Sequence, residues 1–315
     1  MMKEVFSFEF LRNIYQYRTM RKINLIYWNS KNFGDLLNPW LIRKLSINNV
    51  QYKRYEPSLK KRILIISKYL LQFKFKKLLE IILPWEKSLI CIGSIISWSN
   101  KNSTIWGPGF MNENEQFRGG EIKAVRGNFT RDKLIKNGFN CPNVLGDPAL
   151  LIPLVFKDNF KRSSVLGIIP HWREVDYFIS KYGNYHKIID LRTDDIDGVM
   201  KEILSCKYIL STSLHGLIVP HAYNIPAIWI KKNYIDTDGF KFKDYFSSVD
   251  IEQYEGFEDF HKLLVNENEL IDFFNNNISI SRIQNNLEDT QISLLKSFPY
   301  TLKKEYKSLI DKRSH

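Results

Sequence analysis

Cysteine is scarce in this chain and badly placed for joint work. Cys91, Cys141 and Cys206 are its three, far apart in sequence, so no zinc-type spacing exists and a disulfide framework is disfavoured. Buried thiols in a reducing cytosol fit that usage. Long apolar runs are missing too. No window reaches the ~18 uncharged apolar residues of a membrane span. Residues 1–20 mix Lys3, Glu4, Glu9, Arg12 and Arg18 into an aromatic stretch, without the clean apolar core of a secretory leader. The sequence therefore predicts a cytoplasmic protein, at most peripheral at the inner face of a membrane.

Acidic residues are also in deficit, 34 against 46 Lys and Arg, which leaves a net charge of +12 over 315 residues. Such an excess attracts anions of every kind and does not choose among them. The positive charge is scattered, and the polar motifs gather elsewhere, so nucleic acid is not the expected partner. What the chain has in plenty is apolar and aromatic material, 44% and 14%. Together with a length beyond one usual core, this predicts two domains.

Apolar runs of strand length alternate with helical patterns. Strands are predicted over 23–28, 88–93, 104–106 and 122–126, with helices over 36–45 and 129–137. A second series follows, with strands over 165–169, 187–191, 208–211 and 227–230 and helices near 176–182 and 195–205. Alternation of this kind implies crossover units and parallel sheets. A polar linker at 156–163 separates domains at 1–155 and 164–315, the latter ending in a helical cap from 267 onward. The segment 59–83 stands apart. Lys60, Lys61, Arg62, Lys68, Lys74, Lys76 and Lys77 accompany an apolar stripe of Leu59, Ile63, Ile66, Leu70 and Phe73. Such a basic amphipathic helix suits an anionic membrane surface, or packs on its own domain with a solvated lysine face.

In open parallel sheets, ligands sit beyond the carboxyl ends of the strands, and the polar motifs lie there. Asn32-Phe33-Gly34-Asp35 follows the first strand. It lacks the three-glycine dinucleotide pattern, and Asp35 serves either as a helix cap or as a base in a cleft. Trp106-Gly107-Pro108-Gly109 ends another strand. Arg126 heads a Gly-containing turn, as an anion ligand or as the partner of Glu121 or Asp147. Asp147, in Gly146-Asp147-Pro148, begins a turn or orients Arg126 or a hydroxyl. His171 and Arg173 open the loop after the first strand of the second domain and bring an imidazole and a guanidinium towards the cleft. Thr212-Ser213-Leu214-His215-Gly216 joins a strand to a helix whose free amides favour phosphate or carboxylate. His215 there is a candidate proton donor, its pKa raised by nearby anions.

In order, these segments resemble the polysaccharide pyruvyltransferase family. The carriers are Asn32-Phe33-Gly34-Asp35 with Asn38-Pro39, Trp106-Gly107-Pro108-Gly109, Val125-Arg126-Gly127 and Gly146-Asp147-Pro148-Ala149-Leu150. Ile169-Pro170-His171, Ser213-Leu214-His215-Gly216 and Lys241-Phe242-Lys243-Asp244-Tyr245-Phe246 complete the set. The resemblance implies a GT-B-like α/β fold, two Rossmann-like domains with parallel sheets facing a central cleft. It implies transfer of the enolpyruvyl group of phosphoenolpyruvate to two hydroxyls of a sugar, in a surface polysaccharide or its lipid-linked precursor, forming a pyruvate ketal. Phosphoenolpyruvate is then a co-substrate, and neither cofactor nor metal is called for. Arg126, Ser213, Leu214, Gly216, His171 and Arg173 would hold the donor, and Asn32, Gly34 and Trp106 the acceptor. His215 would be the acid and Asp35 or Asp147 the base. Some members carry arginine at the position of Ser213, so Arg173, Lys231, Lys232 or the turn's amides would complete the donor clamp. The alternative is a GT-B glycosyltransferase using a nucleotide sugar.

Overall fold

A computed structural model of the chain describes residues 22–55, 59–73, 87–157, 159–232 and 237–313. The first series of apolar runs forms β1 (Lys22–Ile26), β2 (Asn49–Tyr52), β3 (Ser88–Ile90), β4 (Ser103–Trp106) and β5 (Glu121–Ala124). They pair in the order β2-β1-β3-β4-β5, every pairing parallel. β2 was not predicted. It is an edge strand with one buried residue, Val50, and so has no apolar run to read. The second series forms β6 (Ser164–Ile169), β7 (Lys187–Ile188), β8 (Cys206–Ser211) and β9 (Ala227–Trp229), parallel in the order β7-β6-β8-β9. The class is α/β with two open parallel sheets.

Helices make most of the crossovers that parallel strands require, the β3–β4 and β4–β5 connections being loops with a single 3-10 turn. α1 (Phe33–Leu45) links β1 to β2, and α2 (Leu59–Leu71) follows. α3 (Asn128–Lys136) and the short α4 (Ile152–Val155) come after β5. α5 (Val175–Tyr182), α6 (Ile196–Leu204) and α7 (His215–Ala222) alternate with β6 to β9. Then come α8 (Phe240–Phe246), α9 (Glu267–Asn276), α10 (Ile278–Ser281), α11 (Leu287–Ser297) and α12 (Lys304–Lys312). No described helix is long and apolar enough to cross a membrane.

One apolar core runs through both halves, joining Leu25 and Leu41 to Leu150, Val199 and Leu217. Smaller clusters cover the outer faces, one around Ile90, Ile105 and Val125 and the other around Ile168, Leu210 and Phe274. α1 carries the seam. Trp40 Nε1 donates to Asp197 Oδ1 at 3.0 Å, and the Phe33 amide donates to the Leu191 carbonyl at 2.9 Å.

The last helices return to the first half of the chain. Trp106 Nε1 donates to the Leu294 carbonyl and to Ser297 Oγ, both at 3.1 Å, and the Lys303 amide donates to the Leu45 carbonyl at 2.9 Å. Residues 287–312 thus cover the first sheet. Their helical periodicity shows an apolar face but not which sheet that face covers. Of the predicted stripe, Ile63 and Leu70 in α2 and Phe73 just beyond it are exposed and Ile66 is half-buried; residues 74–83 of that segment lie outside the described residues.

Candidate active site

Loops following the strands of both sheets converge on one pocket of about 230 Å³. The first half contributes Trp28, Asn32, Asp35, Gly93, Ser94, Ile95, Trp98 and Met111. The second contributes His171, Trp172, Leu191, Ser213, Leu214, His215 and Lys241.

The local sequence explains the first wall. Asn32 caps α1, its Oδ1 accepting from the Asp35 amide at 3.4 Å. The helix therefore begins at Phe33, three residues earlier than predicted, and Asp35 is not its cap. Fully buried Asn38 ties α1 to the loop after β3. It donates to the Ile92 carbonyl and accepts from the Ile92 amide, both at 2.9 Å. Asp35 is left facing the pocket. Burial raises its pKa from 3.8 to about 7, with Lys241 pulling it down.

Asp147 arrives through an extension of the first sheet. Val125 bridges Leu145, Gly146 turns the chain at φ 132°, and Asp147 caps the 3-10 turn Pro148–Leu151 through Oδ1, which accepts from the Ala149 amide at 2.9 Å. Its other oxygen points at His215, Oδ2 to Nε2 3.9 Å, and neither atom has a hydrogen-bond partner. Burial raises Asp147 to about 7, against the pull of the Ala149 amide and Arg126.

His215 is the first residue of α7, with 13% of its side chain exposed. The expected upward shift by anions is reversed. Burial, then Arg126 and Lys241, lower its pKa to about 3, so the imidazole is neutral around pH 7. Its other face meets Gly34, where a Cβ would lie 2.5 Å from His215 Nδ1. Gly34 therefore works by absence of a side chain, admitting the imidazole across the seam.

Arg126 is fully buried and does not reach the pocket wall. Nε donates to Asp244 Oδ2 at 2.9 Å, Nη1 to Ser94 Oγ at 2.6 Å and Nη2 to the Phe110 carbonyl at 2.6 Å. Asp244 also accepts from the Thr130 amide at 2.8 Å and its hydroxyl at 2.7 Å. The partner is thus neither Glu121 nor Asp147, as the sequence suggested, but a residue of α8, and the pair clamps α8 to α3. Its field still reaches the pocket, since it lowers both His215 and Asp147.

Trp106, an expected acceptor residue, is fully buried against α11 and is not part of the pocket. Its aromatic bulk suited a cleft, but it equally fills a core. Arg173 lies on the exposed side of its loop with its guanidinium 4.9 Å from the Trp172 ring. Lys231 pairs with Glu255 and Glu258, and Lys232 stands over the Tyr177 ring at 3.9 Å. Gly216 packs beneath the turn, where a Cβ would lie 2.2 Å from Ser211 Oγ. Asn32, His171, Ser213 and Leu214 do line the pocket.

Two features went unread. Lys241, 5% exposed, is the lysine of the pocket wall. Trp28, Trp98 and Trp172 form its mouth, with Trp28 and Trp172 rings 5.8 Å apart and Tyr55 stacked on Trp98 at 4.8 Å. Lys241 and Asp244 stand three apart in the 241–246 motif, on one helix face, and that spacing was the available signal.

A family model described as polysaccharide pyruvyl transferase matches residues 32–233, the stretch that carries most of the pocket. An uncharacterized protein of Acanthamoeba polyphaga mimivirus, L143, is 34% identical over 195 residues, covering 58% of this chain and 67% of the relative. No solved structure matches the chain. With two-sheet geometry, pocket motifs and family match agreeing, the chain belongs to the polysaccharide pyruvyl transferase family.

Proposed function

We propose that the protein transfers the enolpyruvyl group of phosphoenolpyruvate to two hydroxyls of one sugar and closes a pyruvate ketal. The observation that carries this reading is the set at the pocket floor. A buried lysine, a neutral histidine and Asp35, a carboxyl with a pKa near 7, line a space of about 230 Å³, and a second such carboxyl, Asp147, stands 3.9 Å from the histidine. That volume is below the ~300–1,000 Å³ of pockets for drug-sized ligands, and suits a three-carbon phosphate better than a nucleotide sugar.

Lys241 supplies the positive charge for the donor's phosphate and carboxylate, standing in for the arginine missing at Ser213. Amides of the first turn of α7 add to the same anion site. Arg126 contributes from behind Ser94 through its field. In the first step a sugar hydroxyl adds to C2 of the donor, its proton passes to Asp35, and the methylene carbon takes a proton to become a methyl group. The His215–Asp147 pair provides that proton. Near neutral pH Asp147 holds it, and the donor's negative charge raises the imidazole so that Nε2 delivers it. In the second step another hydroxyl of the same sugar bonds to C2 as the C2–O bond to phosphate breaks, and the proton of that hydroxyl leaves on the phosphate.

The mouth of the pocket suits the acceptor. Indole faces carry negative charge and pack against the C–H faces of a sugar ring, and Trp28, Trp98 and Trp172 offer three of them. Asn32 lines the same pocket and caps the helix that carries Asp35. A sugar of a surface polysaccharide, free or lipid-linked, is the class of acceptor.

Mass spectrometry of the protein with phosphoenolpyruvate and a panel of glycosides tests the reaction. A product heavier by one pyruvate less water is the expected result. Thermal shifts with nucleotide sugars and none with phosphoenolpyruvate would replace this reading with a glycosyltransferase.

A further inference from the structure

Several large apolar side chains of α2 and of the turn that follows it are exposed. Ile63 is 66% exposed, Leu71 81% and Phe73 79%, with Leu70 about half exposed. Phe73 closes the helix at φ 53°, a left-handed conformation in which a bulky residue is uncommon. Exposed side chains of this size on adjacent turns are out of place on a solvated helix, which would ordinarily bury them or replace them with polar groups.

Charge selects what covers this face. Between positions 59 and 79 the sequence has Lys60, Lys61, Arg62, Lys68, Lys74, Lys76 and Lys77 and no Asp or Glu. A second copy of the chain would bring the same positive charge against it and be repelled. An anionic lipid surface would attract the lysines while its acyl region took the apolar side chains. The helix is also joined to the pocket. Tyr55, four residues before it begins, stacks on Trp98 of the pocket mouth at 4.8 Å.

We propose that α2 docks the protein on an anionic bilayer, inserting Ile63, Leu70, Leu71 and Phe73 at the headgroup boundary and holding the pocket mouth close to the surface. The proposal does not depend on the reaction catalysed.

Co-sedimentation of the full chain with phosphatidylglycerol–phosphatidylcholine vesicles tests it, with phosphatidylcholine vesicles alone as the neutral control. The wild type is expected to pellet with the anionic vesicles and stay in solution with the neutral ones. Lys68→Glu should weaken partitioning at least about tenfold. Combined Ile63→Gln, Leu70→Gln, Leu71→Gln and Phe73→Asn should abolish it. These positions are exposed, so the melting temperature and any phosphoenolpyruvate thermal shift should match the wild type, which separates failed docking from a failed fold or donor site. Wild type that remains in solution with anionic vesicles overturns the proposal. So does unchanged binding by the fourfold variant. A wild-type dimer that the fourfold variant converts to monomer, with vesicle binding absent in both, would make the face a self-interface and overturn it too.

Discussion

His215 and Asp147 meet across the seam between the two halves, imidazole Nε2 3.9 Å from carboxyl Oδ2, with no hydrogen-bond partner for either atom. Buried polar atoms are nearly always paired, so two orphans facing each other mark a place built for something else. Their proton affinities are displaced in opposite directions, His215 down to about 3 and Asp147 up to about 7. Between those values one proton resides on the carboxyl.

The pH dependence of turnover follows. Asp35, with a pKa of about 7, must be ionised to accept the hydroxyl proton, so activity rises as pH climbs through 7. The pair must keep its proton, so activity falls as Asp147 ionises over the same range. The profile of kcat/KM should be a narrow bell centred near pH 7. His215→Ala should lower turnover by about 10²–10⁴ while the protein stays folded. A flat profile from pH 5 to 9, or near-normal turnover in that variant, would remove the pair from the chemistry.

Asp147→Asn should separate catalysis from stability. The folded-state pKa of Asp147 lies above its unfolded value, so between about pH 4 and 7 the folded protein holds a proton that the unfolded chain has lost. Stability from this group is full below pH 4 and declines as pH rises towards 7. An elevation from 3.8 to about 7 corresponds to at most about 4 kcal/mol. Asparagine keeps the Oδ1 acceptor for the Ala149 amide and has no charge to bury. The inactive variant should therefore melt higher than wild type at pH 8, by a margin that vanishes near pH 4. Calorimetry at the two pH values reads it directly.

Much of this site was legible because parallel sheets put polar loops and helix starts beyond strand ends, and Asp35, Asp147, His171, Ser213 and His215 all lie in such loops or in the first turn of the helix that follows. What was illegible depended on distance in the fold. Arg126 and Asp244 are 118 residues apart, and nothing local distinguishes an arginine that grips a ligand from one that grips a helix. The partner of Trp106 is 188 residues away. β2 escaped because an edge strand needs no apolar run, and Lys241 because a lone lysine between aromatics reads as surface.

Gly34→Ala probes the seam. The added methyl would sit 2.5 Å from His215 Nδ1, so imidazole or loop must move. A displacement of about 1 Å at a reacting group costs on the order of 10² in rate. The expected outcome is a kcat about a hundredfold lower with the donor thermal shift largely kept. Unchanged kcat would show that the imidazole position does not matter.

Lys241→Met removes the cation of the pocket wall while keeping much of the side chain's volume. Donor affinity should fall at least about tenfold, read as a lost thermal shift with phosphoenolpyruvate. Because Lys241 pulls Asp35 down and lowers His215, the acidic limb of the pH profile should also move to higher pH. A merely structural lysine would move neither the affinity nor that limb.

Arg126→Ala should be a folding variant before it is a binding variant. It strands the Asp244 carboxylate, which is fully buried and whose proton affinity burial already raises. Breaking one side of a buried pair costs about 3–5 kcal/mol, enough to threaten a marginally stable protein. Replacing both partners with apolar residues removes the uncompensated charge. Arg126→Met with Asp244→Leu should thus be destabilised less than the sum of the single changes, although the Thr130 amide and hydroxyl lose their acceptor. A denaturant double-mutant cycle measures the coupling. Additive losses would show that the two charges do not depend on each other, and Arg126 would return to consideration as a donor ligand.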